Sequence, residues 1–247
     1  MRADDPAFVR EQYATEAGLE ARASIYGGND VDARDVVLEE LRHVRPTRLL
    51  EVGCGWGELA ERMARELGCT VVAIDQSQRM VELAKERGLD ARLGDVQNLD
   101  FPDAGFDAVV AAWMLYHVPD LDRALGECAR VLRPGGTFLA VTNSADDLKG
   151  LWELVGRDLS ARHLTFRSGN GEAALRPHFA DVVRRDVALD VRFDDEEAVR
   201  RYVGSSALGA SSAGNVPKLE EPLVARKLIS VFVATNARAG HGGGEGR

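Results

Sequence analysis

The chain has 247 residues, with 31 Lys and Arg against 40 Asp and Glu, a formal charge of −9. Hydrophobic residues make up 45%, which excludes an intrinsically disordered chain, and the length suits one large α/β domain or two small ones. The acidic balance argues against broad nucleic-acid binding or adhesion to anionic membranes, so neither partner is expected.

Two helical stretches, about residues 5–24 and 31–44, open the chain and are separated by YGGND. TRLLEV (Thr47 to Val52) is a short apolar run, read as a strand. From Glu58 to Leu67, apolar Leu59, Met63 and Leu67 recur every four residues, and Gly68 stops that helix. CTVVAID (Cys69 to Asp75) is a second strand. Ser77 caps a helix with Met80, Val81 and Ala84 inward, closed by Gly88. A weaker strand lies near Ala91 to Leu93, and FDAVVAAWM (Phe106 to Met114) is a strong one. Asp120 caps a helix with Leu121, Ala124, Leu125, Cys128 and Val131 inward. RPGG (Arg133 to Gly136) is a turn, and TFLAVTN is the fifth strand. Strand and helix alternate, which predicts a doubly wound parallel sheet. Runs such as VVAI suit strands covered on both faces.

The rest is less regular. Helices are expected near 148–160 and 172–179. A strand-like VVRRDVALDVRF follows, then an acidic helix DDEEAVRRYV, a mobile loop GSSALGASSAGNVP and a last strand, LISVFVAT. DDEE reads as a helix start, and the Arg184–Arg185 and Arg200–Arg201 pairs as solvated faces. The glycine-rich residues 239–247 are expected to be disordered. No repeat is visible. No window approaches the roughly 20 apolar residues of a membrane span, and the N-terminus lacks the apolar core of a secretory signal. Cys54, Cys69 and Cys128 form no CxxC pair, so neither a disulfide scaffold nor a metal site is expected, and a reducing cytoplasm fits.

The chemistry starts at EVGCGWG (Glu51 to Gly57), between a strand and a helix. Gly53, Gly55 and Gly57 allow a tight turn and close approach of backbone N–H groups to a ligand. The spacing is GxGxG. The dinucleotide fingerprint would need a glycine where Glu58 stands, so a nicotinamide dehydrogenase is disfavoured. Glu58 would repel a pyrophosphate but tolerate a cation. Asp75, 18 residues after Gly57, ends the second strand and could accept two hydrogen bonds from a ribose diol. Asp95, in GDVQNL after the third strand, could bind an adenine amino group, with the Val96 N–H facing a ring nitrogen. Alone, Asp95 reads more simply as a turn residue. All three features fall at the carboxyl ends of strands, where open α/β sheets bind ligands.

With EVGCGWG, VVAIDQS, GDVQNLDFPDAGFDAVVAAWMLYHVPD and ARVLRPGGTF in this order, the sequence resembles the class I S-adenosylmethionine-dependent methyltransferases, particularly the small-molecule group related to the ubiquinone and menaquinone biosynthesis enzymes. The resemblance spans roughly Thr47 to Asn143, about 40% of the chain. It implies a Rossmann-like seven-stranded doubly wound sheet with an antiparallel last strand, LISVFVAT, hairpinned to VVRRDVALDVRF. It divides the chain into an N-terminal helical lid (1–45), a methyltransferase domain (46–236, with an insert at about 145–180 and a loop at about 204–222) and a tail (237–247).

By position the resemblance places Glu51, Gly53, Cys54 and Gly55 around the methionine part of S-adenosylmethionine and Asp75 on its ribose. Gln76 and Met80 fall beside the adenosine, Asp95 and Val96 at the adenine, and Ala112 after strand 4. Trp56 departs from the small residue usual in the glycine turn. The reaction it implies is methyl transfer to a small-molecule acceptor at O, N or C, leaving S-adenosylhomocysteine and needing no metal. WMLYHVPD leaves strand 4 beside the methyl group. There His117 could act as general base and Tyr116 could orient the acceptor. The preferred reading of His117 is structural, lining the cofactor pocket, because relatives with varied substrates share an HxPD segment. Among lid residues, Tyr13 could touch the cofactor carboxylate or the acceptor or simply pack; Arg22 and Tyr26 are further candidates, with Gly27 and Gly28 as hinge. His163 and His178 lie in the post-sheet region that could face the acceptor but, like His43 at a helix end and His241 in the tail, read more simply as surface residues. An RNA or protein methyltransferase, or a non-methylating relative that keeps the pocket, are the alternatives. The acceptor and the oligomeric state, monomer or homodimer, stay open.

Overall fold

The computed structural model describes residues 4–5, 9, 17–23, 32–158, 164–205 and 209–237. Strands β1 (Arg48–Val52), β2 (Thr70–Asp75), β3 (Asp90–Leu93), β4 (Phe106–Ala112) and β5 (Leu132–Asn143) pair in parallel. β7 (Leu223–Thr235) lies antiparallel between β5 and β6 (Asp181–Phe193). The seven-stranded sheet runs β3-β2-β1-β4-β5-β7-β6, so the expected sheet with an antiparallel last strand is the one observed.

Alternation along each strand sends neighbours to opposite faces. Leu49, Val71, Ala108, Val110 and Leu139 share one core with α2 (Ala33–Val44), α3 (Glu58–Leu67) and α4 (Gln78–Glu86). Leu50, Val52, Val109, Phe138 and Phe232 share the other with α5 (Leu121–Val131) and with Phe166 and Phe179. The caps act as the sequence suggests: Ser77 Oγ accepts from the Met80 N–H, and Asp120 Oδ1 from the Arg123 N–H.

Several boundaries differ from expectation. β5 begins at Leu132, so RPGG lies inside it, with a register shift opposite Phe106 and Ala108. β7 starts at Leu223, ahead of the expected Leu228, because β6 gives it a partner along its whole length. The helix expected over 148–160 shrinks to α6 (Lys149–Leu154) and that over 172–179 to α7 (Gly171–Leu175); Gly156, at φ 73°, turns the chain out after α6.

α8 (Glu196–Gly204) follows β6, and within 204–222 a 3-10 turn over Ala210–Asn215 packs on it. Leu148, Leu151, Phe193, Tyr202, Val203 and Val216 thereby make a third small core above the β6–β7 end. Of the N-terminal segment, α2 buries Val37, Leu38 and Leu41 in the sheet core, whereas α1 (Ala17–Ala23) packs on α8. Tyr13, Tyr26, Gly27, Gly28, His163 and the tail from residue 238, His241 included, lie outside the described residues. Among the described residues, no helix is long and apolar enough to cross a membrane.

Candidate active site

The carboxyl ends of the parallel strands open into a cavity of about 650 Å³, within the ordinary range for small-ligand sites. Its wall follows the sheet order, from Asp95 and Val96 after β3, past Asp75 and Gln76 of β2 and the glycine turn after β1, to Ala112 of β4. It ends at Asn143 of β5 and Lys227 of β7. Arg22 of α1 and Tyr202 of α8 close that side, while Leu19 of α1 borders the cavity beside Gly55.

The glycine turn exists because other residues cannot make it. Gly53 has φ 69°, and a Cβ there would stand 2.7 Å from the Cβ of Met114. Gly57 has φ 83°, and a Cβ there would meet Leu89 at 2.6 Å. The Cys54 N–H donates to the Ile74 carbonyl at 3.0 Å, and the Gly55 N–H to Asp75 Oδ2 at 2.9 Å, so β2 carries the turn. Asp75 Oδ1 accepts from the Ser77 N–H at 2.8 Å. A carboxylate has about four acceptor sites, and with the Gly55, Ser77 and Gln76 N–H groups on it about one remains for a ligand hydroxyl at the cavity wall. Burial raises the Asp75 pKa, and the backbone donors Ser77, Gly55 and Gln76 partly offset that.

Glu51 is the sharpest signal. Its residue is 2% exposed, and Oε2 is buried with no hydrogen-bond partner among the described residues. Burial first and the Asp75 charge second hold its carboxyl well above the usual carboxylate range; a backbone hydrogen bond from Ala60, in the first turn of α3, only partly offsets this. A buried acid with an orphan oxygen, beside a second acid and above a glycine cradle, matches a ligand bearing positive charge. The residues present therefore fit S-adenosylmethionine, which carries a sulfonium and an ammonium. Burial, Glu51 and Asp75 all raise the Cys54 pKa, so this thiol stays protonated and serves as wall.

At the cavity mouth Glu58 pairs with Arg34, which also binds Asp32 at 2.6 Å. Trp56 donates to Glu58 Oε2 at 3.2 Å and lies under Arg87, 5.7 Å from ring centre to guanidinium carbon.

Glu51, Gly53, Cys54, Gly55, Asp75, Gln76, Asp95, Val96, Ala112, Tyr116 and His117 all border the cavity. Asp95 is exposed and holds the Gln97 backbone N–H at 2.9 Å and its side-chain amide at 3.1 Å, so it builds its own turn as well. Met80 is fully buried in α4 and is not on the wall. Tyr116 and His117 meet edge to face, 4.5 Å between ring centres, in a 3-10 turn over Leu115–His117. Of the histidines read as surface residues, His178 is only partly exposed and meets Asp122 at 2.8 Å, and the exposed His43 lies 2.9 Å from the Glu39 carbonyl.

Sequence reasoning misses Arg34, Trp113, Asn143, Tyr202 and Lys227, all on the wall. Alternation along VARKLIS marks Lys227 as inward with Ala225 and Ile229, but the apolar run LISVFVAT starts one residue beyond it.

This parallel sheet with one reversed strand and an acidic, glycine-cradled crevice defines a class I methyltransferase architecture. Residues 50–140 match the family described as methyltransferase domain. A ubiquinone biosynthesis O-methyltransferase of Xanthomonas oryzae pv. oryzae (strain PXO99A) is 40% identical over 124 residues, 47% of this chain and 52% of that protein. The 27-O-demethylrifamycin SV methyltransferase of Amycolatopsis mediterranei (strain S699) is 34% identical over 180 residues, 64% of this chain and 62% of that one. The chain thus spans about half to two thirds of these relatives. Haemonchus contortus phosphoethanolamine N-methyltransferase 2, solved with S-adenosyl-L-methionine, shares the fold at TM-score 0.63 and 18% identity, over 96% of this chain and 60% of that one. Residues 50–140 are thus matched as a methyltransferase domain, and the chain is similar over part of its length to the ubiquinone-biosynthesis O-methyltransferases.

Proposed function

We propose that the protein transfers the methyl group of S-adenosylmethionine to a small-molecule acceptor in a biosynthetic pathway. The orphan buried carboxylate oxygen of Glu51 above the glycine turn carries this reading. The relatives named as methyltransferases of ubiquinone and rifamycin intermediates support the small-molecule class. When bound, S-adenosylmethionine supplies an electrophilic methyl carbon, and the acceptor's lone pair forms the new bond as the carbon–sulfur bond breaks and leaves the neutral thioether.

The chain's own contribution is binding, alignment and exclusion of water. Glu51 faces the positive charge, Asp75 holds a ribose hydroxyl, and Asp95 with the Val96 N–H holds the adenine. Gln76 lies at the adenosine, while Met80 supports that region from inside α4. His117, in ring contact with Tyr116, lines the pocket and is the candidate base when the acceptor is a hydroxyl. Of the N-terminal segment, α1 acts as the lid, its Leu19 and Arg22 bordering the cavity, while α2 belongs to the sheet core. The free thiols of Cys54, Cys69 and Cys128 support a reducing, cytoplasmic setting.

Calorimetric titration with S-adenosylhomocysteine tests the reading. Saturable binding is expected, with a loss of about tenfold or more on Asp75→Ala. No heat from folded protein would overturn it.

A further inference from the structure

The far end of the cavity holds an assembly that the cofactor reading does not use. Lys227 lies on β7 two residues before Ile229, which pairs with Asn143 at the carboxyl end of β5. Its side chain is 5% exposed, yet it borders the cavity. Nζ donates to Asp147 Oδ2 at 3.2 Å and, weakly, to Asn143 Oδ1 at 3.4 Å. An ammonium has three N–H donors, so one is left for the cavity.

The supports around Lys227 are fixed from several directions. Asp147 Oδ1 accepts the Leu228 backbone N–H at 2.8 Å, which ties the acid to β7 itself. Asn143 Oδ1 also accepts the Trp113 indole N–H at 2.9 Å. Trp113 has φ 54°, a left-handed conformation that is costly for a bulky residue and tends to persist at functional sites. The Tyr202 phenol is raised by burial first and then by the Asp147 charge, with Arg22 opposing, so these groups share one end of the cavity. Burying a lysine with a fitted acid behind it costs stability unless it serves a ligand or a register. β7 already has its register from the ladder on both sides.

The two ends of the cavity differ in charge. At the β1–β3 end the wall carries the acids Glu51, Asp75 and Asp95, while Glu58 is paired with Arg34 and Arg79 adds a cation. At the β5–β7 end the wall carries Arg22 and Lys227, with Asp147 behind the lysine. A cation fits the first end and an anion the second.

We propose that Lys227 is an acceptor-recognition residue, donating its remaining N–H to an oxyanion, a carboxylate or an ionised hydroxyl, on the methyl acceptor. Amine acceptors, cationic near neutral pH, are selected against at this end. This rests on the methyltransferase reading, because it takes the other end of the cavity to be filled by the cofactor.

The test uses protein saturated with S-adenosylhomocysteine and three probes of similar size: phenylacetate, phenylacetamide and phenethylamine. Phenylacetate is expected to bind about tenfold more tightly than phenethylamine near neutral pH. Lys227→Met is expected to remove that preference while binding of phenylacetamide and S-adenosylhomocysteine changes by no more than about threefold. Asp147→Asn, which leaves the lysine uncompensated, is expected to tighten phenylacetate, and it carries the test if Lys227→Met does not fold. If S-adenosylhomocysteine binds but phenylacetate does not outrank phenethylamine, or the preference survives Lys227→Met, or Asp147→Asn fails to tighten phenylacetate, the proposal falls alone. If S-adenosylhomocysteine does not bind, the methyltransferase reading falls and takes the proposal with it.

Discussion

At the β1–β2 end of the cavity, most of the wall comes from two short segments, Glu51 to Leu59 and Ile74 to Arg79, with Arg34 and Leu19 added from α2 and α1. At the β5–β7 end, Asn143, Tyr202 and Lys227 arrive from distant parts of the chain; Asn143 and Lys227 are 84 residues apart. The first end is held by backbone geometry, with glycines in left-handed conformations and N–H groups on Asp75. The second is held by side chains: an indole, an amide, an ammonium and a carboxylate in a row. A backbone-built site fails when a Cβ is added. A side-chain-built site can be retuned one residue at a time, which suits recognition of a varying acceptor.

The largest effect is expected where the backbone has no latitude. Gly53→Val places a branched side chain at φ 69° against Met114, and S-adenosylhomocysteine affinity is expected to fall about a hundredfold by calorimetry. Retained affinity would mean that the turn is not the cradle.

Glu51→Gln comes next and separates stability from binding. The Glu51 carboxyl is raised by burial and then by Asp75, so the folded protein holds a proton that the unfolded chain has released. Stability attributable to this group therefore falls as pH rises from the ordinary glutamate range towards the raised native value. The amide removes that penalty, so the ligand-free variant is expected to gain about 1–3 kcal/mol near neutral pH, by denaturant melts, and nothing at acidic pH. Binding of S-adenosylmethionine should weaken at the same time.

At the other end, Asn143→Leu strips the acceptor from the Trp113 indole and from Lys227. A loss of about 1 kcal/mol in unfolding free energy is expected, with the charge preference of the acceptor probes reduced. The smallest effect belongs to a pair outside both ends: Arg42→Ala breaks an exposed ion pair with Glu66 and should shift stability by no more than about 0.5 kcal/mol. A larger shift there would show that surface charge contributes as much as the cavity does.

Local spacing was enough to specify the five parallel strands, their helices and the glycine turn. Apolar runs of consecutive residues mark strands buried on both faces, and Gly53, Asp75 and Ser77 sit at fixed offsets from strand ends. The β5–β7 end, by contrast, came into being only on folding. Lys227 reads as one more charge after Arg226 until pairing with β6 and β5 turns it inward. Tyr202 lies in an ordinary acidic helix until α8 folds over the third small core. A hydrogen bond across 84 residues leaves no mark in local periodicity, since it depends on which strands become neighbours and not on what either strand is made of.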